Sequence, residues 1–162
     1  MPRKILTFLF FATTAAWAED GSRKPVLAVV DFEIDASVPE GIASGKGVAS
    51  LLQAHLQAML REHFTLVNRD AVEKLLKEQK FSQSALVDPG TQKEFGKMVG
   101  ADYLATGSVI MLAGSMNITA NFIRVDTGEI WRSRRIAVKK GDDLSGALLE
   151  LAQALRTVSY TH

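Results

Sequence analysis

The chain contains no cysteine among its 162 residues, and that absence removes several functions at once. No disulfide can staple the fold, no thiolate can act as nucleophile or zinc ligand, and no cysteine is available to carry a lipid. Stability must therefore come from a packed core. Aromatic residues are sparse at 7%, with two Trp and two Tyr, and proline occurs four times. Charge of one sign is also missing: 19 Lys+Arg face 18 Asp+Glu, with no extended basic stripe, which argues against a nucleic-acid partner. Beyond the first eighteen residues, no apolar run approaches the length of a membrane-spanning helix, so no direct membrane span is expected. Catalytic signatures are lacking as well. The three histidines, His55, His63 and His162, fit no HExxH or other metal spacing, and there is no Gly-x-Ser-x-Gly. His55 falls on an apolar helical stripe, where a hydrogen-bonded packing role is expected rather than a base. The sequence predicts a protein that is not an enzyme.

What is present begins with an export signature. Arg3 and Lys4 precede an apolar run from Ile5 to Ala15, and Ala16-Trp17-Ala18 has the small-x-small form of a cleavage site. Eleven helical residues reach only about 16 Å against about 30 Å of hydrocarbon, so cleavage is expected rather than anchoring. Residues 1–18 are thus expected to be a cleaved signal peptide and 19–25 a polar leader. Residues 26–162 are expected to form a single domain in the periplasm, not lipid-anchored. Loss of Arg3 and Lys4 leaves 17 basic residues against 18 acidic ones, a net charge of −1.

Periodicity then predicts the elements. Val26 to Val30 is a continuous apolar run, expected for a strand covered on both faces. Ile34 to Lys46 reads as loop. Val48, Leu52, His55, Leu56 and Met59 recur at helical spacing over Lys46–Glu62. Phe64–Val67 is a second strand, and Asn68 or Asp70 can cap the helix that carries Val72, Leu75 and Leu76. Asp88-Pro89-Gly90 reads as a turn, followed by a capping box at Thr91 and Glu94 that opens a helix ended by Gly100. Strands are expected over Ala101–Leu112, Asn117–Val125 and Ile130–Val138, with a tight hairpin at Asp126-Thr127-Gly128-Glu129. Asp142 or Asp143 caps a last helix striped by Leu144, Leu148, Leu151 and Leu155. The order β-α-β-α-α-β-β-β-α predicts an α/β three-layer sandwich. Its sheet is a mixed five-stranded one, parallel in its early part and antiparallel in a C-terminal meander, with helices on both faces.

Two motifs imitate ligand sites. Gly41-Ile42-Ala43-Ser44-Gly45-Lys46-Gly47 has the look of a phosphate loop. It holds three residues between its glycines where four are needed, and Gly47 stands where Ser or Thr would ligate magnesium. Asp31, Glu33 and Asp35 alternate like the start of a calcium loop. Ala36 then occupies the glycine position and Ile42 the position of the bidentate glutamate. No cofactor and no metal are expected.

Taken together, Val72–Gln79, Ser84–Asp88 and Phe95–Val109 resemble the CsgG family, the curli-secretion type of domain related to LpoB-type activators of penicillin-binding proteins. Ala28–Phe32, Leu66–Arg69 and Val125–Ile130 are similar to that family's first strand, second strand and late hairpin. The resemblance implies a three-layer α/β sandwich with no cofactor that works by assembly in the envelope, through envelope protein partners or self-oligomers. Channel members of the family insert membrane hairpins between the third and fourth strands and after the fifth. Here those places hold only Met111–Ser115 and Lys139–Gly141, too short for a spanning hairpin of roughly twenty residues.

The implied function is a periplasmic accessory or assembly protein of curli, secretion or related machinery. A docking activator of a cell-wall synthase and a small-molecule or glycan-binding module are the alternatives. The candidate partner-binding residues are Arg124, Trp131, Arg132, Arg134 and Arg135, because Trp and Arg dominate interface hot spots. A two-residue turn at Thr127-Gly128 would set Arg124 opposite Trp131, with Arg135 on that same side and Arg132 and Arg134 on the other. The plainer expectation for these arginines is a solvated or helix-covered sheet, with Arg124 stacked on Trp131.

Overall fold

The computed structural model describes residues 23–81, 86 and 88–156; the signal-like segment and most of the leader lie outside them. The elements run β1 (Val26–Val29), β2 (Glu33–Ile34), α1 (Gly45–Leu60), β3 (Thr65–Leu66) and α2 (Arg69–Glu78). They continue with α3 (Pro89–Val99), β4 (Tyr103–Leu112), β5 (Ser115–Arg124), β6 (Ile130–Val138) and α4 (Leu144–Arg156). The strands form one sheet in the order β3-β1-β4-β5-β6. β1 runs parallel to both β3 and β4, and β4, β5 and β6 are antiparallel to one another. This is the mixed α/β sheet that the alternation of strand and helix implies.

One strand is additional. Glu33–Ile34 pairs parallel with Ser108–Val109, resuming the line of β1 along β4 after a break at Val30–Phe32. Two residues carry no readable period, so this stretch reads as loop in sequence. Phe32 turns inward at the break and is fully buried. Its N–H donates to the Gly45 carbonyl at 3.2 Å.

Alternation along β5 assigns its faces. Met116, Ile118, Ala120 and Phe122 point into the larger core beneath α1 and α4, together with Leu52, Leu56, Leu148 and Leu151. The opposite side is packed by α2 and α3 through Val72, Phe95, Leu104 and Val125. That second core occupies one end of the sheet. Beyond it the same face is polar, with Thr106, Asn121 and Ser133 paired across the strands, then Ser108, Thr119 and Arg135. Ser133 Oγ donates to Asn121 Oδ1 at 2.7 Å and Arg135 Nε to Thr119 Oγ1 at 3.2 Å, so this face carries a hydrogen-bonded ladder where a core would otherwise sit.

The helix starts follow from their caps. Ser44 Oγ accepts from the Gly47 N–H and Asn68 Oδ1 from that of Asp70. Asp143 accepts from the N–H groups of Ser145 and Gly146, which caps α4. α3 departs from expectation. It begins at Pro89 rather than Thr91, with Asp88 Oδ2 accepting from the Thr91 N–H at 2.9 Å and from its hydroxyl at 3.3 Å. Proline at the first helical position, with φ already set, and aspartate before it outcompete the Thr91–Glu94 box. Asp88→Ala is therefore expected to destabilise the fold by about 1 kcal/mol, and Thr91→Ala by less. Urea denaturation of both variants checks this; an equal loss for the two would mean that Asp88 is not the cap.

Candidate partner interface

The hairpin that carries the candidate residues is built differently from a two-residue turn. Arg124 N–H donates to the Glu129 carbonyl at 2.9 Å and Gly128 N–H to the Arg124 carbonyl at 2.8 Å, so the chain reverses over Val125 to Gly128. Gly128 takes φ 74°, a left-handed conformation open to glycine at little cost. Ile123 then pairs with Ile130, while Phe122 pairs with Arg132. Trp131 is the extra residue of a β-bulge.

That bulge corrects the expected faces. Arg124 lies opposite Tyr103 on β4 and near Glu129, not opposite Trp131. Trp131 and Arg132 share the α1/α4 side, because a bulge inserts one residue and a slip of one residue exchanges faces. Arg132 and Arg134 do fall on one side, aligned with Phe122 and Ala120. Arg135 aligns with Thr119 on the polar side, opposite to Trp131 rather than with it. The cation over the indole is Arg132, with Cζ 4.3 Å from the Trp131 ring centroid, and not Arg124.

The site extends inward through residues that carry no hint of it in sequence. Trp131 lies 5.0 Å from Tyr103 between centroids, and Tyr103 meets Phe64 edge-on at 5.7 Å. Phe64 precedes β3 and Tyr103 opens β4, so only the parallel pairing of both strands with β1 brings them together. The row Phe64–Tyr103–Trp131–Arg132 ends at the rim beside Leu60 and Leu155. It presents a rigid aromatic platform capped by a guanidinium, a geometry favoured at protein interfaces. Burial, then repulsion from Arg134, lowers the pKa of Arg132 from its ordinary value, while Tyr103 opposes the shift. Positive charge is crowded here. No described carboxylate lies within ion-pair distance of Arg124, Arg134 or Arg135.

The two imitation motifs have structural employment. Lys46 sits in the first turn of α1, and its Nζ donates to Glu73 Oε2 at 3.0 Å. That bond is the main cause of a lowered Glu73 pKa. Asp31 pairs with Arg69, Glu33 lies in β2, and Asp35 accepts from the Ser37 N–H at 2.8 Å. The contacts to Ser37 also lower the Asp35 pKa. The described residues contain no cluster of three or more His, Asp or Glu arranged to hold a metal. His55 Nε2 and Ser145 Oγ share a hydrogen bond of 3.2 Å, which ties α1 to α4. A polar hollow of about 300 Å³ opens on the second face between Glu33, Gln92, Thr106, Ser108 and Asn121. Gln92 spends its Nε2 on the Leu86 carbonyl at 2.6 Å.

Solved structures share this architecture at low identity. The LpoB C-terminal domain from Escherichia coli is 22% identical with a TM-score of 0.54, over 71% of this chain and 82% of that one. Lipoprotein GNA1162 from Neisseria meningitidis is 15% identical with a TM-score of 0.56, over 85% and 99%. PelC from Paraburkholderia phytofirmans, solved as a dodecamer, is 16% identical with a TM-score of 0.50, over 83% and 88%. At such identities the likeness speaks for the fold. Comparison with curated proteins yields no match. The family model for the curli production assembly/transport component CsgG matches residues 12–121, ending inside β5 and leaving β6 and α4 outside the matched span. A match over about two thirds of the sequence, with the sheet order described above, means that this chain belongs to the CsgG family.

Proposed function

We propose that the protein is a non-catalytic accessory component of the bacterial cell envelope that works in the periplasm by binding other proteins. The observation that carries this reading is the CsgG family match over residues 12–121. The hairpin sites add support against a pore. β4 and β5 stay paired up to Leu112 and Ser115, so only Ala113 and Gly114 turn the chain, at φ 48° and 78°. Positive φ at both central residues is the type I′ turn of a tight hairpin. After β6, only Lys139 to Asp143 precede α4. No helix among the described residues is long and apolar enough to cross a membrane. A docking activator of a cell-wall synthase is the second reading, favoured by the fold shared with the LpoB C-terminal domain.

The test is cross-linking and co-purification of tagged protein from native cells. An envelope protein at near-stoichiometric yield is expected, and a penicillin-binding protein in that position would select the second reading. Recovery of the chain alone would overturn both. Periplasmic extraction with N-terminal sequencing is expected to return a chain starting at Glu19. Membrane-bound protein that retains Met1 would contradict the export reading.

A further inference from the structure

β6 is the terminal strand of the sheet, and among the described residues no strand pairs with its outer edge. An open edge of nine residues is a template for another chain. Its chemistry is one-sided. Ile130 to Lys140 contain three arginines and two lysines and no carboxylate. Glu129 stands just before it, and on the other side Asp142 Oδ2 accepts from the Lys139 N–H while Asp143 caps α4. Arg134 and Arg135 lie on opposite faces of the edge strand, both exposed, with Arg135 Nε donating to Thr119 Oγ1 on β5. The Ser133 carbonyl accepts from Arg134 Nη1 at 2.9 Å, a bond from its own strand's side chain.

These charges select the occupant. A second copy joined edge to edge would bring three arginines against three across a strand spacing of about 5 Å, well inside the Debye length of about 8 Å. Like charges directly opposite destabilise a strand pair. An acidic strand reverses the sign of every such contact. Alternate side chains of an added strand would meet Arg134 on one face and Arg135 on the other, while the bulge at Trp131 ends the regular ladder at Arg132.

We propose that the outer edge of β6 takes up an extended acidic segment of a partner protein by strand addition. Main-chain hydrogen bonds along Arg132–Val138 hold the segment, and Arg134 and Arg135 read its carboxylates. This assignment rests on the protein-binding reading above and names the surface and partner chemistry for it. A strand edge merely protected by charge would refuse any ladder, so the two roles differ in what they do with a peptide backbone.

The probe is a fluorescein-labelled peptide of about nine residues, a length typical of strands, that repeats two glutamates and two threonines so that carboxylates fall on both faces of the added strand; binding is read by anisotropy with the purified protein. Saturable binding is expected, weakened roughly tenfold or more by Arg134→Glu with Arg135→Glu. N-methylation of alternate amides along one edge of the peptide keeps its charge and is expected to abolish binding. Equal binding by the methylated peptide, equal binding by the charge-reversed protein, or no binding would each overturn the assignment. Sedimentation at twice the chain mass without peptide binding overturns it in favour of a second copy. Circular dichroism checks folding, and Arg134→Gln with Arg135→Gln replaces the reversal if that variant does not fold. Capture of an envelope partner that the folded variant retains would refute this edge while leaving the accessory role standing.

Discussion

Replacing Phe32 with alanine is expected to lower the free energy of unfolding by about 3–5 kcal/mol. The residue is fully buried between two glycines from different elements, its ring against Gly107 and its backbone against Gly45. A Cβ at Gly107 would overlap the Phe32 ring and the Thr119 carbonyl, and one at Gly45 would overlap the Phe32 carbonyl. Both glycines therefore exist as space for this residue. Removing the ring leaves a void walled by the backbone of β4 at Gly107, and backbone cannot close in as a flexible side chain can. The cost belongs at the upper end of the range because cavity cost grows with the volume that relaxation fails to fill. Urea denaturation with an unchanged m-value measures it. A loss below about 1.5 kcal/mol would mean that the break between β1 and β2 collapses onto the gap, and that β2 is held by more than Phe32.

The value of Phe32 also shows where sequence reading succeeds and where it stops. Leu148, Leu151 and Leu155 sit where a 3.6 period puts them, and β5 alternates Met116, Ile118 and Ala120 against Asn117, Thr119 and Asn121. Long periodic elements repeat their signal, so the helix stripes, the succession of elements along the chain and the antiparallel C-terminal meander are readable. β2 was not, because two residues cannot show a period and its partner on β4 is some seventy-five positions away. α3 began early because Asp88-Pro89 suits a turn and a helix start equally well, and only the following geometry decides. For the hairpin residues proposed to bind a partner, the structure bears on their sides, which the sequence misplaced in part. A bulge leaves no mark in composition, yet it moved Trp131 onto the side of Arg132 and made that arginine its partner. The contacts of Tyr103 with Phe64 and with Trp131 carry no mark in the sequence, since nothing local joins positions brought together only through β1.

Arg69→Leu is expected to destabilise the protein by about 3 kcal/mol, although arginine at the first position of a helix looks misplaced. The positive end of the helix dipole disfavours a cation there by about 0.3–1 kcal/mol. Arg69 overcomes that through what it reaches. Nη1 donates to the Val29 carbonyl at 2.6 Å and Nη2 pairs with Asp31, with Glu73 at 3.8 Å beyond. The Arg69 and Asp31 side chains are only 13% and 15% exposed, so water cannot replace the lost partner. Cutting one member of a buried pair costs about 3–5 kcal/mol, since the other charge stays behind, and the residual exposure here sets the lower end. Lys46–Glu73 supplies the contrast. Lys46 is 63% exposed, and Lys46→Ala is expected to change stability by less than about 0.5 kcal/mol, the usual scale for solvated pairs. Arg69→Lys should recover only part of the loss, because an ammonium cannot serve the Val29 carbonyl and the Asp31 carboxylate with a fixed fork. The decisive measurement is a double-mutant cycle with Asp31→Leu. If the pair acts as a unit, Arg69→Leu with Asp31→Leu will be more stable than Arg69→Leu alone, since no charge is then left unpaired at the break between β1 and β2. Simple additivity of the two single losses would show instead that Arg69 contributes through packing of its stem, and that Asp31 is satisfied without it.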